Sequence, residues 1–256
     1  MNSYTHYANW IKVRQALPSR IRIGFVPTMG ALHAGHVSLL KRARAENDFL
    51  VLSIFVNPTQ FNKAEDYQHY PRTLERDIDI ARTYEVDAVI VPEEKDLYPE
   101  GNQMPIVPHH PLSQILEGKV RPGHFSGVLT VVMKLLQWVK PHRVYFGEKD
   151  FQQCELIQAL VRNYFLDVEV IPCETIREAS GLPLSSRNQR FTAEQLPLAH
   201  RFAELLRSGS FDDLGAIQRR LEEAGLHVEY LETHFNRLFV AVECHGIRLI
   251  DNFVIL

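Results

Sequence analysis

The order of apolar and polar positions divides the chain into two parts. Up to about residue 175, short apolar runs alternate with segments of helical spacing. Residues 21–26 form a β-rich run that ends at Pro27. Residues 49–56 form an unbroken apolar run with several β-branched side chains. A run without polar alternation predicts a strand covered on both faces. Further strands are expected at 88–91, closed by Pro92, at 143–146 and at 168–171. Helices are expected at 37–45, where Val37, Leu39, Leu40 and Ala43 can share a face, and at 74–84, 128–139 and 151–163. Such alternation predicts an α/β fold, a parallel sheet with helices on both faces. Ligands of these sheets sit at the carboxyl ends of the strands.

Beyond residue 175 the pattern changes. A polar loop, 177–190, contains Gly181, Pro183, Ser185, Ser186 and Asn188. A mostly helical region, 193–224, follows, and then strand-like runs at 228–231, 238–242 and 248–250. The expected organisation is therefore a domain at 1–176 that binds the ligands and a smaller α+β domain at 177–256, hinged on the loop.

Composition narrows the function. The 256 residues are 45% hydrophobic, enough for one large core or two modest ones. A formal net charge of -3 gives no general attraction for nucleic acid or an anionic membrane. Anionic substrates must then be met by local basic groups. Cys154, Cys173 and Cys244 form no Cys-x-x-Cys pair and are expected to be reduced thiols without structural zinc. The first residues lack the apolar core of a signal peptide, and no apolar stretch is long enough to span a bilayer. A cytoplasmic protein with no nucleic-acid or membrane partner is expected.

Five stretches carry candidate chemistry, and three of them directly follow expected strands. Met29-Gly30-Ala31-Leu32-His33-Ala34-Gly35-His36 joins a strand to a helix expected to begin near His36. Its glycines allow close backbone approach to a ligand, and the helix start favours phosphate. Two histidines three apart can donate to a triphosphate; as a metal pair they lack a third ligand nearby. Asn57 and Gln60 in SIFVNPTQF offer neutral amides for a small polar substrate, or simply an Asn-Pro turn. Arg121 and His124 in RPGHF suit an anion in a tight loop, or a solvated one. In Gly147-Glu148-Lys149-Asp150, Lys149 suits a phosphate and Asp150 a phosphate-bound Mg²⁺, with Gln153 one turn further on. Leu184-Ser185-Ser186-Arg187-Asn188 offers two hydroxyls and a guanidinium as a mobile phosphate clamp, or a polar linker.

In order, PTMGALHAGH, SIFVNPTQF, LEGKVRPGHF, FGEKDFQQ and LSSRN resemble the pantothenate synthetase (pantoate–β-alanine ligase) family. The similarity runs over roughly residues 20–192, with a fainter match at Arg248-Leu249-Ile250-Asp251-Asn252. The resemblance implies a Rossmann-like α/β fold and an enzyme that adenylates pantoate with ATP and Mg²⁺ and then passes the acyl group to β-alanine. It implies ATP binding by Met29, Gly30, Ala31, Leu32, His33, Ala34, Gly35, His36, Gly147, Glu148, Lys149, Asp150, Ile176, Leu184, Ser185, Ser186 and Arg187. His36 takes the place of the proton donor, and His33, Lys149 and Arg187 are expected to neutralise charge beside it. Gln60 is assigned to pantoate and β-alanine, Gln153 to pantoate, and a homodimer is implied. The chain departs from the family at Ser180, where Asp is common, and at Pro183, where a small residue is, and it is expected to be short in its C-terminal part. Two other readings use the same residues. One is a different His-x-Gly-His nucleotidyltransferase, which would need a more basic acceptor site. The other is a non-catalytic nucleotide sensor, which predicts loss of His36, Lys149 or Arg187; all three are present.

Overall fold

Six strands, most of them apolar, build a parallel sheet. The computed structural model describes residues 1–207 and 213–255. In sequence these are β1 (Asn2–Tyr4), α1 (Tyr7–Ala16), β2 (Ile23–Thr28), α2 (Ala34–Glu46), β3 (Phe49–Ile54), α3 (Ala64–Gln68), α4 (Leu74–Thr83), β4 (Ala88–Ile90), α5 (Glu94–Leu97), α6 (Glu117–Val120), α7 (His124–Val139), β5 (Arg143–Gly147), α8 (Phe151–Asn163) and β6 (Glu169–Cys173). They are followed by α9 (Leu196–Arg207), α10 (Leu214–Glu223), β7 (His227–His234), β8 (Arg237–Cys244) and β9 (Ile247–Val254). The expected helical region 193–224 becomes α9 and α10, and its residues 208–212 lie outside the described residues.

The chain forms two compact units: Met1–Glu148 with Gln152–Cys173, and Lys149–Phe151 with Glu174–Leu256. The first holds the sheet, in the order β1-β4-β3-β2-β5-β6. Alternate residues feed two cores, one on each face. Ile23, Phe25, Val51, Ile90, Val144 and Phe146 pack with Trp10 of α1 and with α7 and α8. Val26, Leu50, Leu52, Val89 and Tyr145 pack with Leu39, Leu40 and Ala43 of α2 and Ala81 of α4. Burial on both faces is why these strands read as continuous apolar runs. The second unit places α9 and α10 against an antiparallel sheet, β7-β8-β9, around Phe202, Leu206, Ile217, Leu221 and Val240.

Several boundaries differ from the sequence pattern. β2 runs through Pro27 to Thr28. It pairs with β3 along its whole length but with β5 only at Gly24 and Phe25, so beyond Phe25 one side carries no partner strand. The missing proline N–H therefore costs no ladder bond. Pro172 is likewise tolerated in β6, which pairs only with β5. β1 and α1 were not legible. α1 is held chiefly by Trp10, fully buried, whose indole N–H donates to the Trp138 carbonyl at 2.9 Å. The segment Lys149–Phe151 and residues 174–176 group with the second unit rather than with the expected domain 1–176. The Phe151 ring lies 5.9 Å from that of Phe239 and under the Arg237 guanidinium at 4.2 Å, which binds this segment to β8. Among the described residues no helix is long and apolar enough to cross a membrane.

Candidate active site

The chain runs outward from β2 to β3 and β4, then returns to place β5 on the other side of β2. Such a reversal of strand order is where open parallel sheets bind ligands. Because β2 and β5 part after Phe25 and Val144, their carboxyl ends are free to diverge. The connections leaving β2, β3 and β5 each carry one of the stretches singled out from the sequence.

At the end of β2, the Thr28 hydroxyl donates to the Ser53 carbonyl at 2.7 Å and accepts from the Gly30 amide at 3.1 Å. Gly30 (φ 78°) and Ala31 (φ 50°) then turn the chain through the left-handed region. For a residue with a Cβ such as Ala31 that conformation costs roughly 1–2 kcal/mol. A buried carboxylate holds it in place. Asp77 of α4, 0% exposed, accepts from the Ala31 amide at 2.9 Å and the Leu32 amide at 2.8 Å, and from the Thr73 hydroxyl at 3.2 Å. Asp77 escaped the sequence reading. Its signal is a carboxylate four residues before Ala81, on the buried face of an amphipathic helix, where an ion must have partners.

α2 begins at Ala34, not near His36, and His33 is its N-cap. His33 Nδ1 accepts from the Gly35 amide at 3.1 Å, and His36 Nδ1 accepts from the His33 amide at 3.3 Å. The two rings lie 4.1 Å apart between centroids, tilted by 40°. A backbone N–H can only donate, so both Nδ1 atoms are acceptors and the proton of each neutral ring sits on Nε2. Both rings are thereby held in place at the positive end of a 13-residue helix.

After β3, Asn57 spends its amide inside the protein. Its Oδ1 accepts from the Tyr98 hydroxyl at 2.9 Å and the Thr59 hydroxyl at 3.1 Å. Its Nδ2 donates to Gln60 Oε1 at 3.0 Å and to the Gly127 carbonyl at 3.2 Å. Burial pushes the Tyr98 phenol above its ordinary pKa, keeping the proton it donates. Asn57 is therefore a support for Gln60, not a ligand group. It leaves Gln60 Nε2 facing the Met29 thioether at 3.2 Å, a weak acceptor. A Cβ on Gly127 would lie 2.4 Å from the Thr59 carbonyl oxygen, so glycine is required where α7 meets this turn.

The RPGHF stretch is not an open loop. His124 opens α7 and is buried. Its Nδ1 donates to the Gln60 carbonyl at 2.9 Å, which leaves Nε2 to accept from Arg121 at 3.1 Å. Arg121 also donates to the Gln60 carbonyl at 3.2 Å and pairs with Glu117 at 3.0 Å. Both side chains clamp the Gln60 backbone. Of the two neighbouring glutamines on α8, Gln152 is buried and ties down the 112–117 segment, accepting from the Glu117 amide and donating to the Ile115 carbonyl. Gln153 is the half-exposed one. Gly147 and Glu148, at the end of β5, complete the set in the first unit.

The remaining expected residues fall in the second unit. Lys149 is mostly buried, with Nζ 3.7 Å from Asp150 Oδ1, whose side chain is 46% exposed. Residues 176–184 form a hairpin, not a shapeless linker. The Leu184 amide donates to the Ile176 carbonyl at 3.0 Å, Arg177 bridges Pro183, and Leu182 is fully buried. The two departures fit this hairpin. Ser180 Oγ accepts from the Leu182 amide at 3.3 Å, and the Pro183 carbonyl accepts from the Asn188 side chain at 3.0 Å. Ser185 then caps a short 3₁₀ turn, Ser186–Arg190, by accepting from the Arg187 amide at 3.2 Å.

Residues 2–254 match the family model for pantoate-beta-alanine ligase. A pantothenate synthetase of Francisella tularensis subsp. novicida is 50% identical over 242 residues, 94% of this chain and 93% of that one. The crystal structure of pantoate-beta-alanine ligase from Francisella tularensis, complexed with beta-gamma ATP and beta-alanine, superposes with a TM-score of 0.97 at 47% identity, over 99% of this chain and 97% of that one. Pantothenate synthetase from Thermus thermophilus gives a TM-score of 0.87 at 39% identity, over 99% of both chains.

Proposed function

The chain belongs to the pantoate–β-alanine ligase family, and we propose that it joins pantoate to β-alanine with ATP by way of a pantoyl-adenylate. The observation that carries this reading is the His33–His36 pair, each ring anchored through Nδ1 with its Nε2–H as donor. A relative of 0.97 TM-score was crystallised with beta-gamma ATP and beta-alanine, and the same two ligands are proposed here.

In the first step a pantoate carboxylate oxygen attacks the α-phosphorus, and the bond to pyrophosphate breaks. Negative charge grows on the phosphoryl oxygens, where His33 and His36 donate and Lys149 and Arg187 supply positive charge. His36 is the proposed proton donor to the departing group. In the second step the β-alanine amine attacks the acyl carbon, the acyl–AMP bond breaks, and the amine gives up a proton as AMP leaves. ATP is assigned to Met29–His36 with Gly147 and Glu148 in the first unit, and to Lys149, Asp150, Ile176 and Leu184–Arg187 in the second. Gln60 is assigned to pantoate and β-alanine, a substrate oxygen displacing the weak Met29 contact from Nε2, and Gln153 to pantoate.

Among the described residues no cluster of three or more His, Cys, Asp or Glu forms a metal cage. That suits Mg²⁺, which commonly takes one or two carboxylates together with substrate phosphates and water. Asp150 would hold it, and the ion would neutralise phosphate charge. The homodimer and the cytoplasmic setting belong to the same proposal; Cys154, Cys173 and Cys244 are buried thiols, consistent with a reducing compartment.

Labelled pyrophosphate exchange tests the route. Exchange into ATP is expected with pantoate and Mg²⁺ present and β-alanine absent. Exchange that strictly requires β-alanine overturns the adenylate.

A further inference from the structure

One family-like stretch, Arg248-Leu249-Ile250-Asp251-Asn252, has no task in the reaction as described. It lies on β9, paired along its length with β8. Asp251 is fully buried and bound by both terminal nitrogens of Arg177 at 2.6 and 2.8 Å, which fixes β9 at this point. Its neighbour Asn252, 5% exposed, reaches a different segment.

Asn252 Oδ1 accepts from Arg237 at 2.7 Å, and Nδ2 donates to the main-chain carbonyl of Lys149 at 3.0 Å. A guanidinium can only donate and a carbonyl can only accept, so the amide has one permitted orientation. The same Arg237 lies over the Phe151 ring at 4.2 Å. Residues 149–151 are thus gripped twice from the C-terminal sheet: by the Asn252 amide on the Lys149 carbonyl, and by Arg237 on Phe151. A long, flexible lysine places its ammonium accurately only if its backbone is fixed. Misplacement of a reacting or charge-stabilising group by about 1 Å can cost on the order of 10²-fold in rate.

We infer that Asn252 is a positioning residue for adenylation, acting through the Lys149 main chain to set where the Lys149 ammonium meets the ATP phosphates. This rests on the reading of Lys149 as a phosphate ligand.

The test compares Asn252→Asp, Asn252→Ala, Lys149→Ala and the double variants in pyrophosphate exchange, with ATP and pantoate varied separately and unfolding midpoints recorded. Asn252→Asp keeps the acceptor for Arg237 but turns an oxygen toward the Lys149 carbonyl. Asn252→Ala removes the donor without adding charge, and keeps the test standing if the aspartate variant does not fold. Each folded Asn252 variant is expected to lose about 10-fold or more in kcat/KM for ATP, with KM for pantoate changed less than about twofold. On the Lys149→Ala background the same substitutions should cause no further loss, because Asn252 acts through that side chain. Losses that multiply in the double variants, or Asn252 variants with wild-type ATP kinetics beside a defective Lys149→Ala, overturn the inference. A Lys149→Ala enzyme with wild-type ATP kinetics instead overturns the reading of Lys149 on which it rests.

Discussion

Asp77 offers a direct measure of how much the loop proposed to bind phosphate depends on a residue outside it. Its carboxylate accepts the Ala31 and Leu32 amides at 2.9 and 2.8 Å while wholly shielded from water. A hydrogen bond to a charged group contributes roughly 1.5–3 kcal/mol, so Asp77→Ala should cost about 3–6 kcal/mol. That is a large share of the roughly 5–15 kcal/mol typical of a folded protein. Asp77→Asn is the gentler probe. Its single carbonyl can serve one amide, while its NH₂ faces the other donor, for an expected loss of about 2–4 kcal/mol. The left-handed turn at Ala31, no longer held, should relax and carry His33 out of place. The assay is urea unfolding followed by tryptophan fluorescence, since Trp10 and Trp138 both report on the first unit, alongside pyrophosphate exchange. We expect Asp77→Asn to lower the midpoint and to reduce kcat/KM for ATP by about 10²-fold. Stability within about 0.5 kcal/mol of wild type, the range of an ordinary surface change, together with exchange within twofold, would refute the argument.

Other outcomes follow from the same geometry. His36→Asn keeps an acceptor near the Nδ1 position but has no Nε2–H, so it should fold normally and lose roughly 10²-fold or more in adenylation; exchange within twofold of wild type contradicts the assignment. Gln60→Ala and Gln153→Ala should weaken pantoate binding far more than ATP binding, by about 1–3 kcal/mol each; calorimetry giving equal losses for both ligands sinks that role. Burial, with the Glu46 carboxylate beside it, pushes the Tyr145 phenol up to about 12. A pKa raised by folding adds stability that is complete below the unfolded value near 10 and fades as pH rises toward 12. Absorbance titration should therefore show a tyrosine ionising near 12 that Tyr145→Phe removes, and a titration unchanged by that substitution speaks against it.

The sequence by itself determined the parts of this protein that depend on neighbouring residues. Short apolar runs bounded by turn residues marked strands covered on both faces, and β3, β4, α4 and α8 lie where the pattern puts them, because periodicity and turn chemistry are local. The stretches proposed to hold ligands are contiguous motifs, and the structure places three of them directly after β2, β3 and β5. The tertiary structure decided everything that joins residues distant in sequence. Pro27 reads as a stop, yet the strand continues because its neighbour on one side has already diverged. α1 has Trp10 as its one fully buried side chain, with Val13 and Leu17 only partly covered, so its apolar signal is weak. Asn57 looks like a ligand group until Tyr98, 41 residues away, is seen to claim its carbonyl. Asp77 reaches across 46 residues to Ala31, and Asn252 across 103 to Lys149. A buried polar side chain takes its meaning from the partner that satisfies it, and only the folded chain brings that partner within reach.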